Sequence, residues 1–376
     1  MKDFENNEIY MSGPEVLPID IDFVIDALTN GWYGQDAYKY VEKFELEFAT
    51  WHNRNFALMT PNCTTAIHLI LTALGIGPDD EVIVPDSTWI GSVAGVVYLG
   101  AKPIFADVDG ETWCISVNKI RQLVTKKTKA IIAVDLYGNM PNLEELEIFC
   151  EEHGIFLIED AAEAIGSIRN SRRAGNFGIA SVFSFHRTKT LTTGEGGMLV
   201  LNNEKLFQRC KFLRDHGREP GKFYNKEVTY KYMPSNLSAS LGYAQFQRIG
   251  NLVEKKRNIF DNYTNLFSEY KSLRFNPEII GDTNSAWCSV VILDPKKNLD
   301  AKFVLQQFEK CKIPARPFFY PLSSLPAFKD MINGNENRIN LESYKLSKWG
   351  VCLPSALNLT ARQQEIVFET FKTFYP

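Results

Sequence analysis

From about residue 55 onward, short apolar runs of strand length alternate with stretches of helix length. "FALMT" (56–60) predicts a strand and "TTAIHLILTALG" (64–75) the helix after it. "EVIVP" (81–85) predicts a second strand, followed by the helix-compatible "WIGSVAGVVYLGA" (89–101). "KPIFADV" (102–108) and "KAIIAVDLYG" (129–138) are further strands, with a helix near 116–126 between them. "NLEELEIFCEEHG" (142–154) is amphipathic and ends on Gly154, a helix stop, and "IFLIEDA" (155–161) is the next strand. "SVFSF" (181–185) and "GMLVLN" (197–202) complete the series. Strands rich in β-branched residues that alternate with helices predict an α/β fold around a large, mostly parallel, doubly wound sheet.

The pattern changes after residue 203. A helix near 203–215 leads into a polar and aromatic loop, and 237–270 reads as one long helix, straight or bent. From about 280 the chain predicts a small α+β unit. Its strand is "SAWCSVVILD" (285–294), its first helix "KFVLQQFEKC" (302–311) and its last "TARQQEIVFETFKTF" (360–374). The expected organisation is an N-terminal segment, 1–30, packing across the units, a large α/β domain, 31–250, and the long helix with a small C-terminal α+β domain, 251–376.

Composition narrows the function classes. The chain has 376 residues, 45% hydrophobic and 23% charged, as expected of a globular protein of more than one unit. A net charge of −4 with no Lys/Arg run argues against nucleic acid and anionic membranes as partners. The seven cysteines are scattered without a CxxC pair, and the five histidines show no HExxH, so neither a disulfide framework nor a metal site is expected. The first residues lack the apolar core of a signal peptide, and no apolar run is long enough to span a bilayer. A cytoplasmic location is the expectation.

Candidate chemistry clusters where strands end, the place ligands bind in such sheets. Asp160 ends a strand, either capping the next helix or aiming a carboxylate at a cationic ring nitrogen. Asn62, Cys63 and Thr64 open a helix, where free N–H groups either are simply capped or hold an anion such as phosphate. Trp89 comes just after a strand at the same sheet edge, as core packing or as a platform for a flat ring. "SFHRTKTLTTGEGG" (184–197) then sets Lys189 among hydroxyls and glycines. Singly these are weak. Jointly, an anion cradle (Cys63, Thr64, Ser184), a stacking residue, an acid and a lysine amine are the groups that pyridoxal 5'-phosphate requires.

The segments "EDAAEAIGS" (159–167) and "FSFHRTKTLTTGEGGML" (183–199), with "NCTTAIHL", "YKYMPSNLSASLGYAQFQRI" and "RPFFYPLSSLP", resemble the DegT/DnrJ/EryC1/StrS family of aminotransferases acting on nucleotide-linked keto-sugars. Within it the chain is most similar to the 4-keto-6-deoxyhexose 4-aminotransferases. The resemblance implies a fold-type I enzyme working as a homodimer with shared active sites. Lys189 would anchor pyridoxal phosphate and shuttle the proton, pyridoxamine phosphate would be the intermediate carrier, and L-glutamate the donor. It further implies Asp160 on the ring nitrogen, Trp89 on the ring, Cys63, Thr64 and Ser184 on the phosphate, and Glu163 near the cofactor hydroxyl. Asn236 would lie in the segment lent to the neighbouring subunit, and Arg316 and Tyr320 near the substrate. Two positions depart from the family pattern: Met233 replaces a phosphate-reaching Arg or Asn, and Ser323 replaces a histidine near the nucleotide. Related sugar 3-dehydratases carry histidine at the lysine position, so Lys189 excludes that branch. Amination of a 3-keto sugar, and a non-catalytic protein that keeps the fold, remain as alternatives.

Overall fold

A computed structural model describes residues 8–332 and 339–375. Of the N-terminal segment, residues 1–7 lie outside the described part. The main sheet contains β1 (Phe56–Thr60), β2 (Glu81–Pro85), β3 (Lys102–Ala106), β4 (Thr128–Val134) and β5 (Phe156–Asp160). A short hairpin of β6 (Ile168–Arg169) and β7 (Arg172–Arg173) comes next, and β8 (Ala180–Ser184) and β9 (Gly197–Leu201) return to the sheet. The spatial order is β1-β9-β8-β5-β4-β2-β3. Neighbours from β8 through β5, β4 and β2 to β3 run parallel, as the apolar runs predict. β9 is antiparallel to both β8 and β1. The reversal comes from the connection at 185–196, which turns back over the carboxyl end of β8 and carries Lys189 there.

Both faces of the sheet are covered, which is why its strands are almost continuously apolar. One face packs Phe44, Phe48, Phe183 and Phe185 with Leu143 and Leu146 of the Leu143–His153 helix. The other packs Ile67 and Ile70 of the Cys63–Ala73 helix with Val93 and Val96 of the Gly91–Tyr98 helix. Local signals set the helix ends: Asn142 caps Glu145 N–H, and Gly154 closes the same helix at φ 65°, a left-handed turn suited to glycine. The C-terminal part has its own antiparallel sheet, β10 (Arg274–Phe275), β11 (Val290–Ile292), β13 (Gly350–Cys352) and β12 (Arg316–Pro317), in that order. Phe267, Phe308 and Phe371 fill the core beneath it. The N-terminal segment meets this part through main-chain bonds from Ser355 and Leu357 to the carbonyls of Met11 and Gly13.

Three sequence expectations need correction. The helix expected over 237–270 is two helices, Asn236–Phe246 and Ile249–Leu266. Arg248 between them leaves helical geometry and pairs with Asp20 at 2.6 Å and Glu15 at 2.9 Å. The strand expected over 129–138 ends at Val134, because Tyr137 turns at φ 54°. The strand expected over 285–294 is ordered as strand only at Val290–Ile292, since Ala286 adopts φ 52°. Both turns occur where the chain approaches Lys189.

Candidate active site

Lys189 lies in the turn after β8, with its side chain 13% exposed. Its amine donates to Glu163 Oε1 at 3.0 Å and faces the Trp287 ring at 3.8 Å from the centroid. The second Glu163 oxygen accepts the Tyr137 N–H at 3.0 Å. Trp287 Nε1 donates to the Thr188 carbonyl at 2.8 Å, so the indole grips the lysine turn as well as facing its amine. Tyr137 stacks parallel to Trp287 and to Phe319 on its other side, and Phe319 in turn approaches Trp89. An aromatic wall thus runs from Lys189 to Trp89.

Asp160, at the end of β5, is 2% exposed. It accepts from Ser92 Oγ at 2.6 Å and from Ala162 N–H at 3.1 Å, and Cys63 Sγ stands 3.9 Å away. Thr88 orients the Ser92 hydroxyl at 3.0 Å. Burial pushes the Asp160 carboxyl upward, opposed by Ser92, by the Ala162 N–H and by the positive charge of Lys189. Burial likewise raises Glu163, against the pull of Lys189. A buried acid of this kind gains from a nearby cation.

Among the described residues Cys63 and Thr64 open their helix without acceptors for their N–H groups, since the Asn62 cap serves Thr65. Gly197 brings β9 against this turn: a Cβ there would lie 2.6 Å from Cys63 N. Ser184 pairs with Gly197 across the β8–β9 ladder and so faces the same spot. Thr64 Oγ1 and the Trp89 ring both close on Gly91, where a Cβ would meet each at 3.0 Å. Trp89 precedes the Gly91–Tyr98 helix and is 62% exposed, with a free indole face.

Cys63, Thr64, Trp89, Asp160, Glu163, Ser184 and Lys189 therefore converge at one sheet edge. Arg316, exposed on β12, makes no ion pair among the described residues, yet its charge reaches His186 beside Lys189. Tyr320 is exposed and lines a separate cavity of about 1280 Å³, of which Lys189 is not a wall. Asn236 accepts from Tyr40 N–H at 2.9 Å and donates to the Asp36 carbonyl at 3.3 Å within its own chain. Ser323 is bound to Asp86, through its hydroxyl at 2.6 Å and its N–H at 2.7 Å. Ser92, Tyr137 and Trp287 are absent from the sequence-based set. Ser92 looks like an ordinary helix residue, and the other two sit in runs that read as strand.

Residues 19–372 match the DegT/DnrJ/EryC1/StrS aminotransferase family. The chain belongs to this family. It is 36% identical over 356 residues to GDP-perosamine synthase of Vibrio cholerae, covering 94% of this chain and 95% of that protein. It is 34% identical over 365 residues to GDP-perosamine synthase of Escherichia coli O157:H7, covering 96% and 97%. Among solved structures it superposes on the sugar aminotransferase Spr1654 of Streptococcus pneumoniae in its PLP form. That match has a TM-score of 0.89 at 25% identity and covers 97% of this chain and 98% of the other. The protein is a pyridoxal-phosphate-dependent sugar aminotransferase of fold type I. Among the described residues no helix is long and apolar enough to cross a membrane.

Proposed function

We propose that this aminotransferase moves the amino group of L-glutamate to C4 of a nucleotide-linked 4-keto-6-deoxyhexose, in the cytoplasm, for an amino sugar of a surface polysaccharide such as O-antigen. The observation that carries it is the Lys189 amine, held between the Glu163 carboxylate and the Trp287 face at the end of the sheet. The position of the amine on the sugar is supported by the relatives named GDP-perosamine synthase, perosamine being a 4-amino-4,6-dideoxyhexose.

The residues present fit pyridoxal phosphate. The buried Asp160 carboxylate suits a protonated ring nitrogen, and the free N–H groups of Cys63 and Thr64, with Ser184, suit a phosphate. Trp89 offers its exposed indole to the ring. When bound, the cofactor supplies the carbonyl that carries the amino group and an electron-accepting ring. Lys189 removes the proton from Cα of glutamate and delivers one to C4 of the sugar. Glu163 receives the lysine amine whenever it is free. Arg316 and Tyr320 meet the substrate, and Asn236 lies in the segment that each subunit lends to its neighbour's cofactor site. Homodimer formation has support in Ile21, Ile25 and Leu28, an exposed apolar stripe on the Pro18–Asn30 helix continued by Trp32.

The test is incubation of the purified holoenzyme with L-glutamate and either GDP-4-keto-6-deoxymannose or dTDP-4-keto-6-deoxyglucose, with the new amine located by NMR. An amine at C4 is expected, with the GDP sugar preferred. An amine at C3, or no turnover of any 4-keto sugar, overturns the proposal.

A further inference from the structure

Lys256, on the Ile249–Leu266 helix, is a second lysine beside the site, and it is 1% exposed. Its ammonium donates to the Trp287 carbonyl at 3.0 Å and to the Ser355 carbonyl, both main-chain groups. Neither partner is a carboxylate, so the hydrogen bonds that hold the buried charge are to main-chain dipoles, a costly arrangement. Methionine would fill the same space without that cost.

The two carbonyls explain what the charge secures. Trp287 faces the Lys189 amine and holds the Thr188 carbonyl. Ser355 is anchored in turn: its hydroxyl accepts from Ser289 N–H and donates to the Leu353 carbonyl, and its N–H donates to Met11. Lys256 therefore clamps the Trp287 backbone to a fixed strap of the C-terminal part. Ala286, at φ 52°, is the unusual turn that this clamp holds in place.

We propose that Lys256 is a positioning residue for Lys189: it fixes the Trp287 backbone so that the indole stays against the amine, and it brings a second positive charge to the residue that the amine faces. The proposal rests on the reading of Lys189 as the cofactor-bearing amine. Burial pushes the Lys256 ammonium down to about 8; Cys288 acts in the opposite direction and the Lys189 charge in the same one. The titratable groups whose charge acts with that of Lys189 are Glu163, Asp160, His186, Cys63 and Lys256. Those facing Lys256 are Cys288 and Lys189 itself.

A nearby cation disfavours a further positive charge, so removing it makes the lysine–cofactor linkage easier to protonate. The measurement is the pH midpoint of the visible absorbance of the holoenzyme, for Lys256→Met, Lys256→Gln and Lys256→Arg. Lys256→Gln keeps an N–H donor for one carbonyl and guards against a Lys256→Met protein that does not fold. The expected result is a midpoint raised by about one pH unit in the two neutral variants and close to wild type in Lys256→Arg. A folded neutral variant with an unchanged midpoint overturns the proposal while leaving the function of Lys189 intact. Lysine-bound absorbance surviving in Lys189→Ala overturns both.

Discussion

Glu159 and Asp160 are consecutive acids on β5, and strand alternation sends them into two regions with opposite tasks. Glu159 is fully enclosed. It accepts from Gly175 N–H at 2.8 Å, Phe177 N–H at 3.1 Å and Ser181 Oγ at 2.6 Å. Arg54 completes this region by donating to Ser181 Oγ and to the carbonyls of Gly175, Phe177 and Gly178. Asp135 lies beside Glu159 with no donor to either oxygen among the described residues. Burial and then the Glu159 charge push its carboxyl well up, so Asp135 is the member of the pair that keeps its proton. Across the strand, Asp160 is as deeply buried but faces free N–H groups, a half-exposed indole and an amine. The lesson is that burial alone does not mark a functional acid. What distinguishes Asp160 is the set of uncommitted groups around it.

If the two regions differ in this way, changes on one side should remove activity and changes on the other should remove stability. The largest effect is expected from Lys189→Ala: loss of the lysine-bound visible absorbance and a fall in turnover of about 10⁴-fold, with thermal stability little altered. Absorbance spectra and single-turnover assays check it. Asp160→Asn should lower kcat/KM by about 10²–10³-fold, since it removes charge where we propose that the ring nitrogen is held. A loss smaller than tenfold would erase the distinction between the two acids. Glu159→Leu should behave inversely. It leaves two buried N–H groups unpaired and the buried Arg54 without its neighbouring carboxylate, and should destabilise the fold by about 3–5 kcal/mol, read by urea titration. Turnover per folded molecule should stay within about threefold of wild type.

The last predicted effect is a pH dependence rather than a loss on substitution. His52 adjoins the Glu159 region, with Nδ1 2.9 Å from the Ala174 carbonyl and its ring among Phe48 and Phe183. Burial holds it neutral, down to about 3. The unfolded chain takes up this proton near pH 6.5, so the stabilising contribution is complete above that value and is lost as pH falls towards 3. Unfolding free energy of the wild type should fall by about 1.4 kcal/mol per pH unit through this window on account of His52. His52→Phe should flatten that part of the profile. An unchanged slope would show that His52 carries no such penalty.

Much of the sheet was legible because its strands are apolar on both faces. β1 and β2 fall on the residues that "FALMT" and "EVIVP" predict. The convergence of Lys189, Asp160, Cys63 and Ser184 was legible for a related reason: each ends such a run or comes soon after one. Trp287 was not. "SAWCSVVILD" is uninterrupted by glycine or proline, and its bend comes from an alanine in a left-handed turn, which no composition rule flags. Tyr137 was lost the same way, at the end of a run that continues to look like strand. Asn236 shows the reverse limit: its place in the chain was clear, but its partners at 36 and 40 are set by tertiary packing.

The reversed strand β9 has a consequence for how the protein is made. β1 pairs only with β9 in the sheet, Phe56 opposite Leu201, so it has no sheet neighbour until that later stretch has left the ribosome. At ordinary rates of synthesis this leaves β1 waiting on the order of ten seconds or more. During that interval the turn at Cys63 lacks the glycine that packs against it, and Lys189, though already translated, lacks the strand that follows it in the sheet. A nascent chain halted before residue 197 would hold Cys63, Asp160 and Lys189 without the strand that joins their parts of the sheet.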